Sequence, residues 1–327
     1  MQQGITVEAS IIVLAKNEEL YIEQTLKAIF RQKFNFEFEI IVIDSGSKDK
    51  TLEIIKKFPV SLIQIPPLEF GHGKTRNLGL NLSKGKYIVF LNADATPADS
   101  CWLNNLLRGF SSHKNVCGIY SKICPRENCN PLDARDILAD DYLFDISNRV
   151  RFIDSAFAYK RLNVEKRRKF IAFHTISCAI DRNILSNNMF AEINFGEDLE
   201  WSKRMLEKGF KIIFANESKV IHSHDIHLSF CNTVKKYFDD AKLNQTLLRR
   251  WNLLNLSKLS VMYVFKYLKD AAYIMKEEKA LFYKLSWIFY SPIIRLAEVF
   301  GILLGVLADM PKSLAKRLSL VEGKKAE

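Results

Sequence analysis

Apolar positions along the first two hundred residues alternate between two periods. Ser10–Ala15 is an unbroken apolar run, the pattern of a strand buried on both faces. Leu20, Ile22, Leu26, Ile29 and Phe30 follow at near-helical spacing. Phe38–Ile43 predicts a second buried strand, and Asp49 an N-cap for a helix carrying Leu52, Ile54 and Ile55. Val60–Ile65, Lys86–Leu91 and Val116–Ile123 predict three further strands. Phe173–Ile180 predicts another, and Lys211–Ala215 and Ser218–His222 two more short ones. Gly196–Gly209 reads as a helix with a glycine stop. Strand, helix, strand at these lengths predicts an α/β fold with a mostly parallel central sheet flanked by helices.

From about Phe230 the period becomes helical and stays so. Pro292 predicts the start of a last long helix, apolar around most of its circumference. Arg295, Glu298, Gly305, Asp309 and Lys312 form its narrow polar or small stripe. Such a helix is either interfacial or packed under others, and its two internal charges count against a simple bilayer span. Gly301 and Gly305 form a G-x-x-x-G, a pattern common enough to arise by chance.

Charge sharpens this division. The 327 residues carry a net charge of +11, but residues 231–327 hold 17 basic and 9 acidic side chains and so contribute +8 of it. Basicity concentrated in a helical tail points to an anionic membrane surface rather than nucleic acid, because the first two thirds are nearly neutral. The six cysteines are scattered, without paired zinc-ligand spacing, and fit reduced thiols. The N-terminal stretch lacks a basic segment followed by an apolar core, so no secretory leader is expected and a cytoplasmic location is.

In an open α/β sheet, ligands bind at the carboxyl ends of the strands. Those ends carry Asn17-Glu18, Asp44 and Asn92-Ala-Asp94. Each alone suits a turn or helix cap. Together they suit hydrogen bonding to a base and ribose, or a divalent cation held against a diphosphate. Neither a G-x-x-x-x-G-K-[ST] loop nor a G-x-G-x-x-G after the first strand is present, so the common nucleotide-binding glycine motifs are excluded.

Five segments, in order, carry a family resemblance: Ile11-Ile-Val-Leu-Ala-Lys-Asn-Glu18, Ile41-Val-Ile-Asp-Ser-Gly-Ser-Lys-Asp49, Phe70-Gly-His-Gly-Lys-Thr-Arg-Asn77, Leu91-Asn-Ala-Asp-Ala95 and Gly196-Glu-Asp-Leu-Glu-Trp201. Across about residues 8–225 the chain resembles glycosyltransferase family 2, inverting enzymes of the GT-A nucleotide-sugar fold. Within it the Phe70–Asn77 loop, Asn130-Pro131 and Val220–His224 look most like bacterial rhamnosyltransferases.

The resemblance implies a GT-A catalytic domain over 1–229 and a basic, amphipathic, membrane-associating helical region over 230–327. It places Asn17, Glu18 and Asp44 at the nucleotide and Arg76 at the diphosphate or sugar. Asn92 and Asp94 stand in the metal-binding D-x-D motif, and Asp198 is the catalytic base with Glu197 as the alternative. A divalent cation, Mg²⁺ or Mn²⁺, would be held by Asp94 and His224, with His222 able to replace the latter. Asn92 departs from the motif and leaves one carboxylate there. The implied partners are a dTDP- or UDP-sugar donor, a lipid-linked glycan acceptor and the inner face of the cell membrane, with no nucleic acid. Rhamnosyl transfer is the first expectation and a UDP-hexose or UDP-N-acetylhexosamine donor the second. A nucleotidyltransferase would need a glycine-rich N-terminal loop, which residues 8–20 lack.

Overall fold

The computed structural model describes residues 7–143, 150–193, 195–223, 229–248 and 259–307. They fall into two compact units. The first comprises the chain to Cys124, Asp141–Arg161 and Lys169–His222; the second comprises Pro125–Asp140, Leu162–Arg168 and the chain from Ser223.

The first unit is a mixed sheet covered by helices. Its strands are β1 (Ala9–Ala15), β2 (Phe38–Asp44), β3 (Ser61–Gln64), β4 (Tyr87–Asn92), β5 (Thr96–Pro97), β6 (Val116–Cys124), β7 (Val150–Arg151), β8 (Ser177–Asp181) and β9 (Lys211–Ile221). Their order is β3-β2-β1-β4-β8-β6-β9-β5, with β7 paired to β9. The β3-β2-β1-β4 half is parallel throughout, as its buried apolar runs require, and β8 lies antiparallel between β4 and β6. The two short strands expected over 211–222 are one strand, because β9 stays paired with β6 through a register irregularity opposite Ser121–Lys122. The strand expected from Phe173 begins only at Ser177, Phe173 packing its ring on Tyr120 and Trp201 instead.

Helices α1 (Ile22–Phe30), α2 (Thr51–Ile55), α3 (His72–Leu82) and α4 (Trp102–Ser112) precede α5 (Pro131–Leu143), α6 (Ala156–Arg161), α7 (Val164–Phe170), α8 (Arg182–Asn187) and α9 (Glu197–Glu207). α1 buries Ile22, Leu26 and Ile29 and α4 buries Trp102, Leu103 and Leu106, all in one core with Ile11, Val13, Val42, Val89 and Leu91. Each fully buried aliphatic side chain there contributes roughly 1.5–3 kcal/mol, which fixes the register of the strand ends. Trp102 Nε1 donates into a buried serine cluster, Ser121 at 3.2 Å and Ser177 at 3.0 Å, so its polar edge is satisfied inside the core.

The second unit is helical, with α10 (Phe230–Leu248), α11 (Leu259–Lys276) and α12 (Leu281–Leu307). Pro292 does not start α12, which begins at Leu281 and runs through it. Pro292 has no N–H for Ile288 O, and Ser291 Oγ donates to that carbonyl at 3.4 Å. The G-x-x-x-G is a contact surface: a Cβ on Gly301 would stand 2.5 Å from Val234 O and one on Gly305 2.7 Å from Phe238 O, so α12 lies directly on the α10 backbone.

The polar stripe of α12 faces inward. Arg295, 1% exposed, makes a bidentate pair with Asp270 (2.7 and 2.9 Å) and reaches Asp136 at 2.9 Å and Glu298. Arg135 Nε meets Asp270 at 2.6 Å and Lys266 meets Glu298 at 2.8 Å. Burial alone would raise the Asp136 carboxyl, but Lys266, Arg295 and Arg135 together hold it below its ordinary value. Three cations and three anions thus tie α5, α11 and α12 into one neutral buried network. Asp309 and Lys312, the outer members of the expected stripe, lie outside the described residues.

Candidate active site

Parallel register sets the ends of three strands side by side: Ala15 pairs with Asp44 and Leu14 with Asn92. The loop after β1 and the loop after β2 are stitched together. Asn17, at φ 55°, accepts from Lys48 N at 2.8 Å through Oδ1, and its own N–H donates to Ser47 Oγ at 2.9 Å. Glu18 N donates to Thr51 Oγ1 at 2.7 Å and Glu19 N to Asp49 at 3.1 Å. Asp49 also accepts from Thr51 N at 3.0 Å, at the turn into α2. Asp44 is fully buried, and its carboxylate accepts from Gly46 N at 2.9 Å, Ser47 N at 3.0 Å and Ser47 Oγ. Its charge therefore organises the Ser45–Ser47 turn from within, where Gly46 takes φ 83°.

Asp94 and His222 are brought together by the β5–β9 pair. Thr96 faces Ile221, so the residue two before one strand meets the residue one beyond the other. The His222 backbone N–H is anchored on Cys124 O at 2.9 Å, and His222 Nδ1 lies 3.4 Å from Asp94 Oδ2. Asn92 sits at the end of β4, its N–H donating to Ile176 O at 2.9 Å and its carbonyl closing the turn by accepting from Ala95 N at 2.9 Å. His224 lies outside the described residues. Among the described residues no three His, Cys, Asp or Glu side chains converge as a complete metal cage.

Arg76, Glu197 and Asp198 form the third cluster. Gly196, at φ 77°, turns the chain into α9, and the acids open its first turn, where the helix dipole favours negative charge. Arg76 is buried on α3, with Nη1 donating to Glu197 Oε1 at 2.7 Å and to His72 O at 3.1 Å and its guanidinium 6.0 Å from the Phe90 ring. Of the two adjacent acids, Glu197 is therefore the one neutralised by a cation. Asp198 accepts from Leu199 N at 2.8 Å and Thr175 N at 3.4 Å. Burial first, and then the Glu197 charge, push its carboxyl up to about 6, with Arg76 opposing. Thr175 immediately precedes Ile176, which holds Asn92, so the edge between β4 and β8 connects Asp198 to the end of β4.

His174 and Arg151 escaped the sequence reading. His174 Nε2 lies 3.0 Å from Ser121 O, and burial, with His222 nearby, pushes its imidazole down to about 4, so it is neutral at physiological pH. Arg151 donates to Tyr120 Oη at 2.9 Å and to Lys169 O and Phe170 O at 3.1 and 2.7 Å, bracing the segment that leads to Thr175. Neither residue has a local motif; both are recognisable only once β6 and β7 are placed.

The sequence pattern described as glycosyl transferase family 2 matches residues 10–186. The chain is 28% identical over 207 residues to the O-antigen chain rhamnosyltransferase WbaN of Salmonella anatum, covering 60% of each protein. It is 26% identical over 228 residues to the O-antigen chain rhamnosyltransferase RfbN of Salmonella typhimurium, covering 67% of each. Among solved structures it resembles the mannosyltransferase PcManGT of Pyrobaculum calidifontis, solved with GDP-Man and Mn²⁺. That match has a TM-score of 0.58 and 15% identity, and covers 93% of this chain and 88% of that one. That likeness shows the fold, and the family match shows the membership. The chain belongs to glycosyl transferase family 2 and is a glycosyltransferase built on the GT-A fold.

Proposed function

We propose that this enzyme is an inverting rhamnosyltransferase that moves rhamnose from dTDP-rhamnose to a hydroxyl of a lipid-linked glycan at the inner face of the cell membrane. One observation carries the catalytic part. Of the two acids that open α9, Glu197 is paired with Arg76, whereas Asp198 has no ion pair among the described residues and its carboxyl is pushed up to about 6 by burial and the Glu197 charge. A carboxylate with its pKa near the working pH suits a general base that takes the acceptor hydroxyl proton during attack at C1. One direct displacement inverts the anomeric centre.

The stitched loops at Asn17, Glu18 and Ser45–Thr51 would form the nucleotide floor, with Asp44 holding their shape from beneath. The Asp94–His222 pair offers one carboxylate and one imidazole, a donor set that would suit Mn²⁺ better than Mg²⁺, which prefers oxygen ligands. When bound, that cation supplies positive charge opposite the departing diphosphate. Asn92 would add a neutral oxygen at the same strand end. The likeness to WbaN and RfbN supports rhamnose as the donor sugar and a cell-envelope glycan as the acceptor.

Purified protein incubated with a lipid-linked glycan extract and, separately, dTDP-rhamnose, UDP-glucose, UDP-N-acetylglucosamine or GDP-mannose tests the reading. Nucleoside diphosphate release should be fastest from dTDP-rhamnose and should fall on chelation of divalent metal. Faster release from a UDP-sugar would move the assignment to that donor.

A further inference from the structure

Two helices of the second unit, α11 and α12, present apolar faces outward. The inward face of α12 carries Ser291, Arg295 and Glu298, all buried, while its outward face carries Phe282, Leu285, Phe289, Ile293, Leu296 and Phe300 at steps of three or four residues. Phe282 is 85% exposed and Phe289 74%. From Leu285 to Leu307 the only charged side chains are Arg295 and Glu298, and both point into the network with Asp270 and Lys266. α11 repeats the arrangement, with Asp270 buried and Val261, Val264, Phe265 and Leu268 exposed. Soluble helices bury their apolar stripe; α12 buries its charges and presents the stripe, and α11 buries Asp270 while exposing apolar side chains beside Lys269 and Lys276.

We propose that the outward faces of α11 and α12 form an in-plane surface that seats in one leaflet of an anionic bilayer without crossing it. This deepens the membrane part of the proposed function and rests on it. By length and composition α12 could cross a membrane. The ion pairs count against it, because Arg295–Asp270 and Glu298–Lys266 lock α12 along α11, where the exposed Lys269 adjoins Asp270 level with the middle of α12. A span would carry that ammonium group into hydrocarbon. Seated in plane, only the apolar faces enter, and the cations remain at headgroup level. Charge also separates the bilayer from a second copy of the chain. Lys236, Lys242, Lys269, Lys276 and Lys279 are all exposed in this unit, and residues 231–327 carry a net +8. Two such surfaces repel each other, whereas phosphatidylglycerol headgroups attract them. The buried ion network holds the apolar faces outward, since turning either helix would place Arg295 or Asp270 against lipid without its partner.

Flotation of the full chain with phosphatidylglycerol vesicles and with phosphatidylcholine vesicles reads the surface directly. Binding should favour the anionic vesicles at least tenfold and weaken in high salt. The combined Phe282→Ser, Phe289→Ser, Leu296→Ser and Phe300→Ser variant should lose at least tenfold in binding while keeping its helical circular dichroism. Phe36→Ser, an exposed aromatic of the sheet unit, should change nothing. Phe289→Ser alone gives a milder probe. In a Cys101→Ser, Cys231→Ser background, the substitutions Lys279→Cys and Ser313→Cys flank α12 in sequence. An impermeant maleimide added to inverted membrane vesicles should reach both. Protection of one until detergent is added means a span and overturns the proposal. A monomer–dimer equilibrium abolished by the same serine variant, with no vesicle binding, assigns the face to a second copy and also overturns it. None of these measurements involves sugar transfer, so a wrong donor assignment leaves the outcome untouched.

Discussion

Replacing Arg76 by Met would leave Glu197 without its cation at a site where both side chains are nearly inaccessible, 3% and 4% exposed. At their 2.7 Å separation the gross attraction is about 6 kcal/mol with an effective dielectric of about 20. Desolvation of the two ions offsets much of that, but removing one partner leaves the other buried and unpaired, which costs about 3–5 kcal/mol. The double variant Arg76→Met, Glu197→Gln removes both charges and should recover a large part of the loss, giving a coupling energy of about 1–3 kcal/mol. Urea unfolding of the four proteins near neutral pH measures it. A second readout separates this pair from an ordinary structural salt bridge. Arg76 lowers the Asp198 carboxyl and Glu197 raises it. The acidic limb of the pH–rate profile, expected near pH 6 in the wild type, should therefore move up in Arg76→Met and down in Glu197→Gln. Additive stability losses, or an acidic limb that stays fixed in both single variants, would show that Arg76 and Glu197 are not coupled to each other or to Asp198.

Asp198 should itself cost stability near neutrality. Its folded carboxyl titrates at about 6 against an ordinary 3.8, so the stability that its protonation contributes is complete below about 4 and lost as pH rises through about 6. Asp198→Asn should be more stable than the wild type near pH 7.5, by up to about 3 kcal/mol from a shift of about two units, and the gap should close in acid. Gly301→Ala should destabilise by about 1–2 kcal/mol in thermal unfolding, because the new methyl meets Val234 O at 2.5 Å and the clash exceeds the gain in helix propensity. His222→Ala should raise the Mn²⁺ concentration needed for half-maximal turnover about tenfold or more, while donor binding without metal stays near its wild-type level.

The parallel half of the sheet was legible because β1, β2 and β4 are short apolar runs buried on both faces, a pattern that few other structures satisfy. The strand ends followed from it, and with them Asn17, Asp44 and Asp94. What local sequence could not carry was pairing at long range. The family resemblance places Arg76 in a glycine-containing loop at the diphosphate or sugar, yet it pairs with Glu197, 121 residues away. Arg295 reads as a polar interruption in an apolar helix, yet one of its partners is Asp136, 159 residues earlier. The same distance hides the orientation of α12: periodicity finds the polar stripe, but only the positions of Asp270, Asp136 and Lys266 show that it faces inward. Pro292 lies inside α12 rather than at its start, and Ser291 Oγ donates to the Ile288 carbonyl that the proline leaves without its backbone donor.

The proposed role of Asp198 as base of a single displacement turns on donor binding and acceptor-dependent transfer, measured side by side for the wild type and Asp198→Asn with dTDP-rhamnose and divalent metal. Donor affinity should stay within about twofold of the wild type, and transfer should fall by about 10²-fold or more. Transfer at the wild-type rate by Asp198→Asn would contradict that role.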